Sequence, residues 1–132
     1  MESVKNIYDT LLRDTKVSDK YYIVSNIAAW YKQDYEFFQG FLEKRAKIGI
    51  HPKILLQDSK EAREHKEFSK NYNISAKILP KKTSLSTNFV VTPQMVVIHQ
   101  ITQPIMAIVI ENKSIIRMHQ EFFEIMWEGV ED

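Results

Sequence analysis

The sequence of 132 residues contains no cysteine and has only three glycines and four prolines. Without cysteine, the chain can form no disulfide, no Cys-ligated zinc or iron–sulfur cluster and no thiol nucleophile, and it suits a reducing compartment such as the cytoplasm. The scarcity of glycine and proline, together with 44% hydrophobic residues, excludes a low-complexity or disordered chain. The opening stretch MESVKNIYDTLLRD is charged throughout, so we expect neither a signal peptide nor a membrane anchor there.

An excess of charge of one sign and the common catalytic motifs are also missing. Eighteen Lys and Arg residues against seventeen Asp and Glu residues leave a net charge of +1, without the basic footprint of a dedicated nucleic-acid or anionic-membrane binder. There is no glycine-rich phosphate loop, no Gly-x-Ser-x-Gly elbow and no His-Glu-x-x-His helix, and the four histidines are scattered. We therefore expect no metal site, no cofactor and no membrane partner.

What is present is a succession of short apolar runs and amphipathic stretches, within the size of one domain covering 1–132. β-prone runs predict six strands, at 21–25, 50–56, 74–79, 88–91, 95–99 and 105–110. Helical spacing of apolar residues predicts four helices, which begin at about residues 3, 34, 58 and 114. Strands that alternate with helices and end in a late hairpin predict an α/β fold, a mixed sheet with helices on both faces.

Polar residues and glycine mark the predicted helix ends. We expect Ser3, Asp58 and Ser114 to cap three helices, because short oxygen-bearing side chains accept hydrogen bonds from the free N–H groups of a first turn. Gly49 predicts the end of the second helix. Trp30 is expected in the loop before that helix, where its ring could contribute to a pocket.

The second helix has a basic C-terminal end. Lys44, Arg45 and Lys47 lie there, and cations at this position complement the helix dipole. Arg45 also shares a side of the helix with Phe41 and Leu42. We interpret the basic residues as structural and not as a phosphate-binding group.

The sharpest motif is the octet HPKILLQD, in which His51, Lys53 and Asp58 satisfy the His-x-Lys-x-x-x-x-Asp signature of phospholipase D-type phosphodiesterases. In that chemistry a histidine attacks phosphorus and a lysine stabilises the phosphoryl oxygens. Two features favour a plain strand followed by a helix cap. Asp58 has the position of an N-cap, and Lys53 and Asp58, five residues apart, would point to opposite faces of a strand. A phosphodiesterase remains an alternative hypothesis.

Four stretches, taken in order, resemble a known family: FLEKRAKIGIHPKILLQDSKEAREH, ISAKILPK, FVVTPQMVVIHQITQPIMAIVIENKSI and FFEIMW. Their succession is similar to the C-terminal domain of TrmB-type transcriptional regulators, a sugar-sensing family best known from archaea, from about Tyr21 to Trp127. That domain looks like half of a phospholipase D-like fold with a degenerate catalytic signature. The resemblance implies that Leu85, Thr87 and Thr92 stand where the catalytic hairpin would carry histidine, lysine and aspartate.

The resemblance implies a function without catalysis. It points to an effector-sensing and dimerising module of a prokaryotic regulator, in which an N-terminal winged helix contacts DNA. Only one short helix precedes Tyr21, which is too little for a winged-helix domain. We therefore expect no specific DNA binding by residues 1–132 alone, whether the chain is a fragment of a longer regulator or a free-standing sensor.

Polar residues at the predicted strand ends form the candidate ligand site. They lie where the first strand ends, where the hairpin opens and where its second strand ends, and ligand sites favour such strand ends. Their hydroxyl, amide and imidazole groups suit a small neutral ligand such as a sugar. The candidate ligand-binding residues are Ser25, Asn26, Trp30, Thr87, Asn88, His99 and Gln100.

The last predicted helix supports a further alternative, a plain protein-interaction module. Its apolar stripe is unusually wide, with Ile115, Met118, Phe122 and Met126 along one side. If this side is exposed, it is a contact face for a protein partner. The family resemblance separately implies a homodimer.

Overall fold

A single sheet with helices on both sides makes up the computed structural model, which describes residues 1–132. The helices are α1 (Glu2–Asp14), α2 (Ile27–Ile48), α3 (Lys60–Glu67), α4 (Ser69–Tyr72) and α5 (Lys113–Gly129). The strands are β1 (Tyr22–Ser25), β2 (Lys53–Leu56), β3 (Ser75–Ile78), β4 (Asn88–Val91), β5 (Val96–Gln100) and β6 (Met106–Ile110). All six predicted strands are present, and the predicted third helix is divided into α3 and α4.

The six strands form one mixed sheet in the order β3-β2-β1-β4-β5-β6. β1, β2 and β3 are parallel because helical connections return the chain to the same end of the sheet. β4 pairs with β1 antiparallel, and β5 and β6 continue the antiparallel half. The predicted α/β fold is confirmed, and β3 and β6 are the edge strands.

One face of the sheet, here the covered face, is packed against several helices. Alternate strand residues point to it, among them Ile23, Ile54 and Val97. Helices α1, α2 and α3 contribute to the same cluster of 20 buried residues, which is the main core. Trp30 and Leu42 of α2 are 0% and 1% exposed within it.

The opposite face, here the α5 face, is covered by one helix only. Its core cluster has seven buried residues, including Val24, Leu55 and Val91 from the sheet and Ile116 and Phe123 from α5. A single helix is about 10 Å across, so it cannot cover a sheet of six strands. The outer surface of β5 and β6 on this face is left partly bare.

All three predicted N-caps are wrong because a nearby position takes the role. α1 begins directly after Met1, so Ser3 lies inside the helix. The N-cap of α3 is Ser59, whose side chain accepts a hydrogen bond from the Ala62 N–H at 3.0 Å, and not Asp58. Asp58 and Ser59 are both good caps by residue type, and only the backbone conformation decides between them.

The predicted ends of α5 and α2 have different outcomes. Asn112, and not Ser114, caps α5 by accepting a hydrogen bond from the Ile115 N–H at 3.0 Å. Gly49 ends α2 as predicted, with a left-handed backbone at φ +96° that glycine adopts without strain. None of the helices is both long and apolar enough to cross a membrane.

Helix α2 is longer than predicted and is broken once. It begins at Ile27, so Trp30 lies inside the helix and the prediction that places it in a loop is wrong. Asp34 has a non-helical backbone, and its side chain accepts a hydrogen bond from the Phe37 N–H at 3.0 Å. Asp34 therefore caps the second segment of α2, which is the segment the sequence predicts, and its carboxylate forms an ion pair with Lys5 of α1.

Candidate functional site

Four of the predicted ligand-binding residues meet at one end of the sheet. Ser25 ends β1 and Asn26 follows it, Asn88 opens β4, and His99 lies directly opposite Asn88 on β5. They come together because β4 runs antiparallel to both β1 and β5. The Asn26 N–H donates a hydrogen bond to Asn88 Oδ1 over 2.7 Å.

Trp30 and His99 belong to a buried chain of hydrogen bonds. The Tyr8 hydroxyl lies 2.6 Å from His99 Nε2, and the Trp30 Nε1–H donates to the Tyr8 oxygen at 3.0 Å. Burial lowers the pKa of His99 to about 4, so its ring is neutral at pH 7 and can accept a hydrogen bond from the Tyr8 hydroxyl. The hydrogen bonds of Trp30 and His99 are thus made inside the chain, where they connect α1, α2 and β5.

Thr87 and Gln100 lie apart from this buried group. Thr87 is exposed and lines a groove between the sheet and α5. The Gln100 side-chain amide donates to the carbonyl oxygens of Pro104 and Thr102 at 2.9 and 3.4 Å, in the loop before β6. The seven predicted residues therefore do not surround one open pocket, although Ser25, Asn26, Asn88, His99 and Trp30 are close neighbours.

The three residues of the octet do not converge. His51 precedes β2 and lies 2.8 Å from the Ser75 hydroxyl, whereas Asp58 follows β2 at its other end and pairs with Arg63 at 3.1 Å. Lys53 Nζ lies over the ring of Trp127, 5.4 Å from its centroid. A whole strand separates the histidine from the aspartate, so the octet forms no phosphodiesterase site within this chain.

A small closed cavity of about 20 Å³ lies between the covered face and the helices. Most of its wall is apolar, but five residues with polar groups line it: Tyr8, whose hydroxyl already bonds to Trp30 and His99, and Tyr21, Ser25, Arg45 and His65. Arg45 and His65 are only 2% and 1% exposed. Arg45 Nε and Nη2 and both ring nitrogens of His65 are buried without any hydrogen-bond partner in the chain.

Arg45 is a buried cation that lacks a carboxylate partner. None of the six ion pairs includes it, and no Asp or Glu lines the cavity. The guanidinium lies 5.5 Å from the ring centroid of Phe41 and 5.8 Å from that of Tyr21. A desolvated cation–π contact contributes about 2 kcal/mol, whereas removing a charge from water costs several kcal/mol. The two rings alone therefore do not compensate for burying this charge.

Burial also shifts the titration of the groups around the cavity. It lowers the pKa of Arg45 from its ordinary value, but the intrinsic basicity of guanidinium keeps the side chain charged at neutral pH. Burial, reinforced by the charge of Arg45, lowers the pKa of His65 to about 3. Burial raises the pKa of Tyr21 to about 12, and the positive charge of Arg45 opposes that rise. At pH 7 the polar lining is thus one cation with neutral donors.

The sequence predicts a structural role for Arg45 in the basic end of α2, on the side of Phe41 and Leu42, and it indicates no ligand-binding role for His65. Arg45 is buried because it occupies the same side of α2 as Phe41 and Leu42, and that side packs on the sheet. This pattern was visible in the sequence, since an arginine that continues an apolar stripe is placed in the core by its spacing. His65 gave no comparable signal, because α3 is mostly polar.

The largest concave feature near the predicted residues is the groove beside α5. It has a volume of about 490 Å³, within the range of small-molecule sites. Thr87, Asn88 and His119 are its polar members, and aromatic and aliphatic side chains form the rest. Its complete lining is Thr87, Asn88, Phe89, Ile98, His119, Phe122, Ile125 and Met126.

Comparison with known protein families, with curated proteins and with solved structures finds no match to this chain. No group of three or more His, Asp or Glu side chains is placed to hold a metal ion. The functional interpretation therefore rests on the geometry of the cavity, the groove and the exposed surfaces.

Proposed function

We propose that this chain is a noncatalytic effector-sensing and dimerisation domain of a TrmB-like transcriptional regulator. The observation that carries the proposal is an unpartnered apolar surface on the α5 face. We call it the dimer surface and define it as Met118, Phe122, Ile125 and Met126 of α5 together with Ile108 of β6. Ile125 is 68% exposed and Phe122 is 53% exposed, and contiguous apolar area of this kind marks interaction sites.

The arrangement of side chains around α5 explains why this surface exists. Ile116 and Phe123 face the sheet, and the exposed apolar residues of α5 follow the i, i+4, i+7 spacing of a second stripe. Charged residues occupy the remaining side. One apolar stripe holds α5 on the sheet, so the second stripe is free to pack against another molecule.

The charges of α5 favour a second copy of the chain as the occupant. Lys113 and Arg117 lie in its first half, Glu121 lies at its middle, and Glu124 and Glu128 lie in its second half. A two-fold axis near Phe122 sets two α5 helices antiparallel, so that the basic half of each meets the acidic half of the other. In this register Arg117 is opposite Glu128 of the second copy.

The groove supports the sensing part of the proposal. It opens between β4 and α5, next to the dimer surface, and Phe122 belongs to both. Thr87 and His119 supply polar groups, and the flat faces of Phe89 and Phe122 suit the apolar faces of a sugar ring. A small neutral ligand bound there changes the packing of α5 and thereby the strength of dimerisation.

The proposal assigns no chemical step to residues 1–132. The octet residues are apart, and the hairpin positions that correspond to the catalytic signature hold Leu85, Thr87 and Thr92. In this proposal DNA is contacted only by a winged-helix domain and not by residues 1–132.

Sedimentation velocity over a range of concentrations tests dimerisation. We expect the native chain to dimerise and Phe122→Asp to weaken the dimer at least about 100-fold, because a charge replaces a central aromatic contact. Phe68→Asp is the matched control, since Phe68 is 50% exposed but lies between α3 and α4, and it should dimerise normally. A native chain that remains monomeric would contradict the proposal and favour an interaction module for a different protein.

A charge reversal tests the antiparallel register. Arg117→Glu should weaken the dimer by roughly tenfold, because like charges then face each other. Combining it with Glu128→Arg should restore the native affinity. If the losses of dimerisation free energy in the two single variants simply add in the double variant, the two residues do not meet and the register is wrong.

A thermal-shift screen of monosaccharides and disaccharides tests the groove. A sugar that binds the folded chain should raise the unfolding temperature, and Thr87→Val should reduce that rise. Thr102→Val, an exposed threonine in the loop before β6, is the control and should respond as the native chain does. A ligand whose effect is the same in both variants binds elsewhere.

A further inference from the structure

The closed cavity beneath the covered face concentrates hydrogen-bond donors around one buried positive charge. Arg45 offers Nε–H and Nη2 groups that no atom of the chain accepts, and His65 offers a ring N–H that is also unused. Tyr21 and Ser25, which carry hydroxyl groups, line the same space, as does Tyr8. The lining contains no carboxylate that could neutralise the guanidinium.

We propose that this cavity is a binding site for a halide-sized inorganic anion, held between Arg45, His65, Tyr21 and Ser25. Its volume of about 20 Å³ matches one water-sized occupant, so phosphate, sulfate and organic anions are too large for it. Among occupants of that size, a monatomic anion supplies the missing charge.

The polar lining distinguishes an anion from a water molecule. A water molecule needs acceptors for its two protons as well as donors for its oxygen, whereas an anion only accepts. Arginine can only donate, and at least one nitrogen of neutral His65 donates as well. The second nitrogen of neutral His65 accepts, so the deciding feature is the charge: Arg45 is buried without a carboxylate partner, and an anion compensates that charge whereas water does not.

The anion has a structural role that is independent of the dimer surface. Arg45 comes from the end of α2, Tyr21 and Ser25 flank or end β1, and His65 comes from α3. An anion bound to all four side chains joins two helices to the central strand. The free energy of unfolding of the chain then rises with halide concentration.

Halide-dependent unfolding and bromide crystallography test the proposal on the whole chain. At matched ionic strength, the unfolding temperature should rise and saturate with chloride or bromide but not with gluconate, which is too large for the cavity. Crystals grown in bromide should show an anomalous peak within hydrogen-bonding distance of Arg45. Arg45→Met should remove the halide response, whereas Lys44→Met, an exposed neighbour of equal charge on the same helix, should keep it.

Milder variants keep the test valid if Arg45→Met does not fold. Ser25→Ala and Tyr21→Phe leave the charge in place and should each weaken halide binding about tenfold, because each removes a hydrogen bond to an ion. Equal unfolding temperatures in chloride and gluconate would overturn the proposal. So would a bromide crystal in which the cavity holds only water.

Discussion

The two faces of the sheet use similar apolar residues but are covered to different degrees. The covered face is closed by α1, α2 and α3 over a cluster of 20 buried residues. The α5 face has a cluster of seven under one helix, and large apolar side chains beside that helix remain exposed. The larger buried cluster makes the covered face the main source of stability, and the exposed apolar side chains make the α5 face the one on which we propose that a partner packs.

The largest expected loss of stability comes from a substitution in the core under the covered face. Trp30→Ala should lower the free energy of unfolding by about 4 kcal/mol, because it leaves a large void and removes the donor to Tyr8. Ile125→Ala on the α5 face should change the free energy of unfolding of the protomer by less than about 0.5 kcal/mol. Urea denaturation of both variants at low protein concentration measures the contrast. Similar losses in the two variants would mean that the faces do not divide these roles.

A smaller effect is expected when the pH is lowered, because His99 becomes protonated and the free energy of unfolding falls. The pKa of His99 is about 4 in the folded chain and about 6.5 in the unfolded chain. Its neutral ring therefore contributes fully to the free energy of unfolding above pH 6.5, and that contribution is lost as the pH falls toward 4. At pH 5 the loss from this residue should be about 2 kcal/mol. His99→Gln should therefore lose about that much less stability than the native chain between pH 7 and pH 5.

Urea denaturation at the two pH values measures this difference. The contribution of His65, whose pKa is also lowered, is present in both proteins and cancels in the comparison. Equal losses in the native chain and in His99→Gln would show that His99 is not held neutral by its burial.

The smallest expected effect compares the helix caps of the two faces. Ser59→Ala on α3 and Asn112→Ala on α5 should each cost about 1 kcal/mol, because each removes one capping hydrogen bond. Only Asn112→Ala should also weaken dimerisation, since it frays the helix that carries the dimer surface. Thermal unfolding and sedimentation measure the two effects, and equal dimerisation in both variants would contradict the assignment of α5.

Much of the fold could be predicted because local patterns specify it. The apolar runs and the turn at Pro93 identify the β4–β5 hairpin, and Gly49 identifies the end of α2. The caps were less predictable, because Asp58 and Ser59 compete for one position and differ only in backbone conformation. The segment of α2 before Asp34 was missed because the break at that residue interrupts the helical periodicity.

The candidate site was harder to predict, because it depends on which strands become neighbours. Asn88 and His99 could be expected near each other from the hairpin, but the position of β4 beside β1 requires the whole sheet. Sequence alone did not indicate that Tyr8, from a distant helix, accepts from Trp30 and faces His99. Arg45 was correctly placed on the side of Phe41 and Leu42, but its complete burial without a carboxylate partner depends on the packing of α2 on the sheet.

The edge strand β6 has a consequence for the behaviour of the protein on heating. Its side chains Met106, Ile108 and Val109 are 44%, 44% and 41% exposed, and one side of its backbone has no strand partner. An exposed apolar edge is a template on which another extended segment can add by backbone pairing. We therefore expect heated samples to aggregate through β6, with a turbidity that rises with protein concentration. A lysine at Ile108 should delay that aggregation.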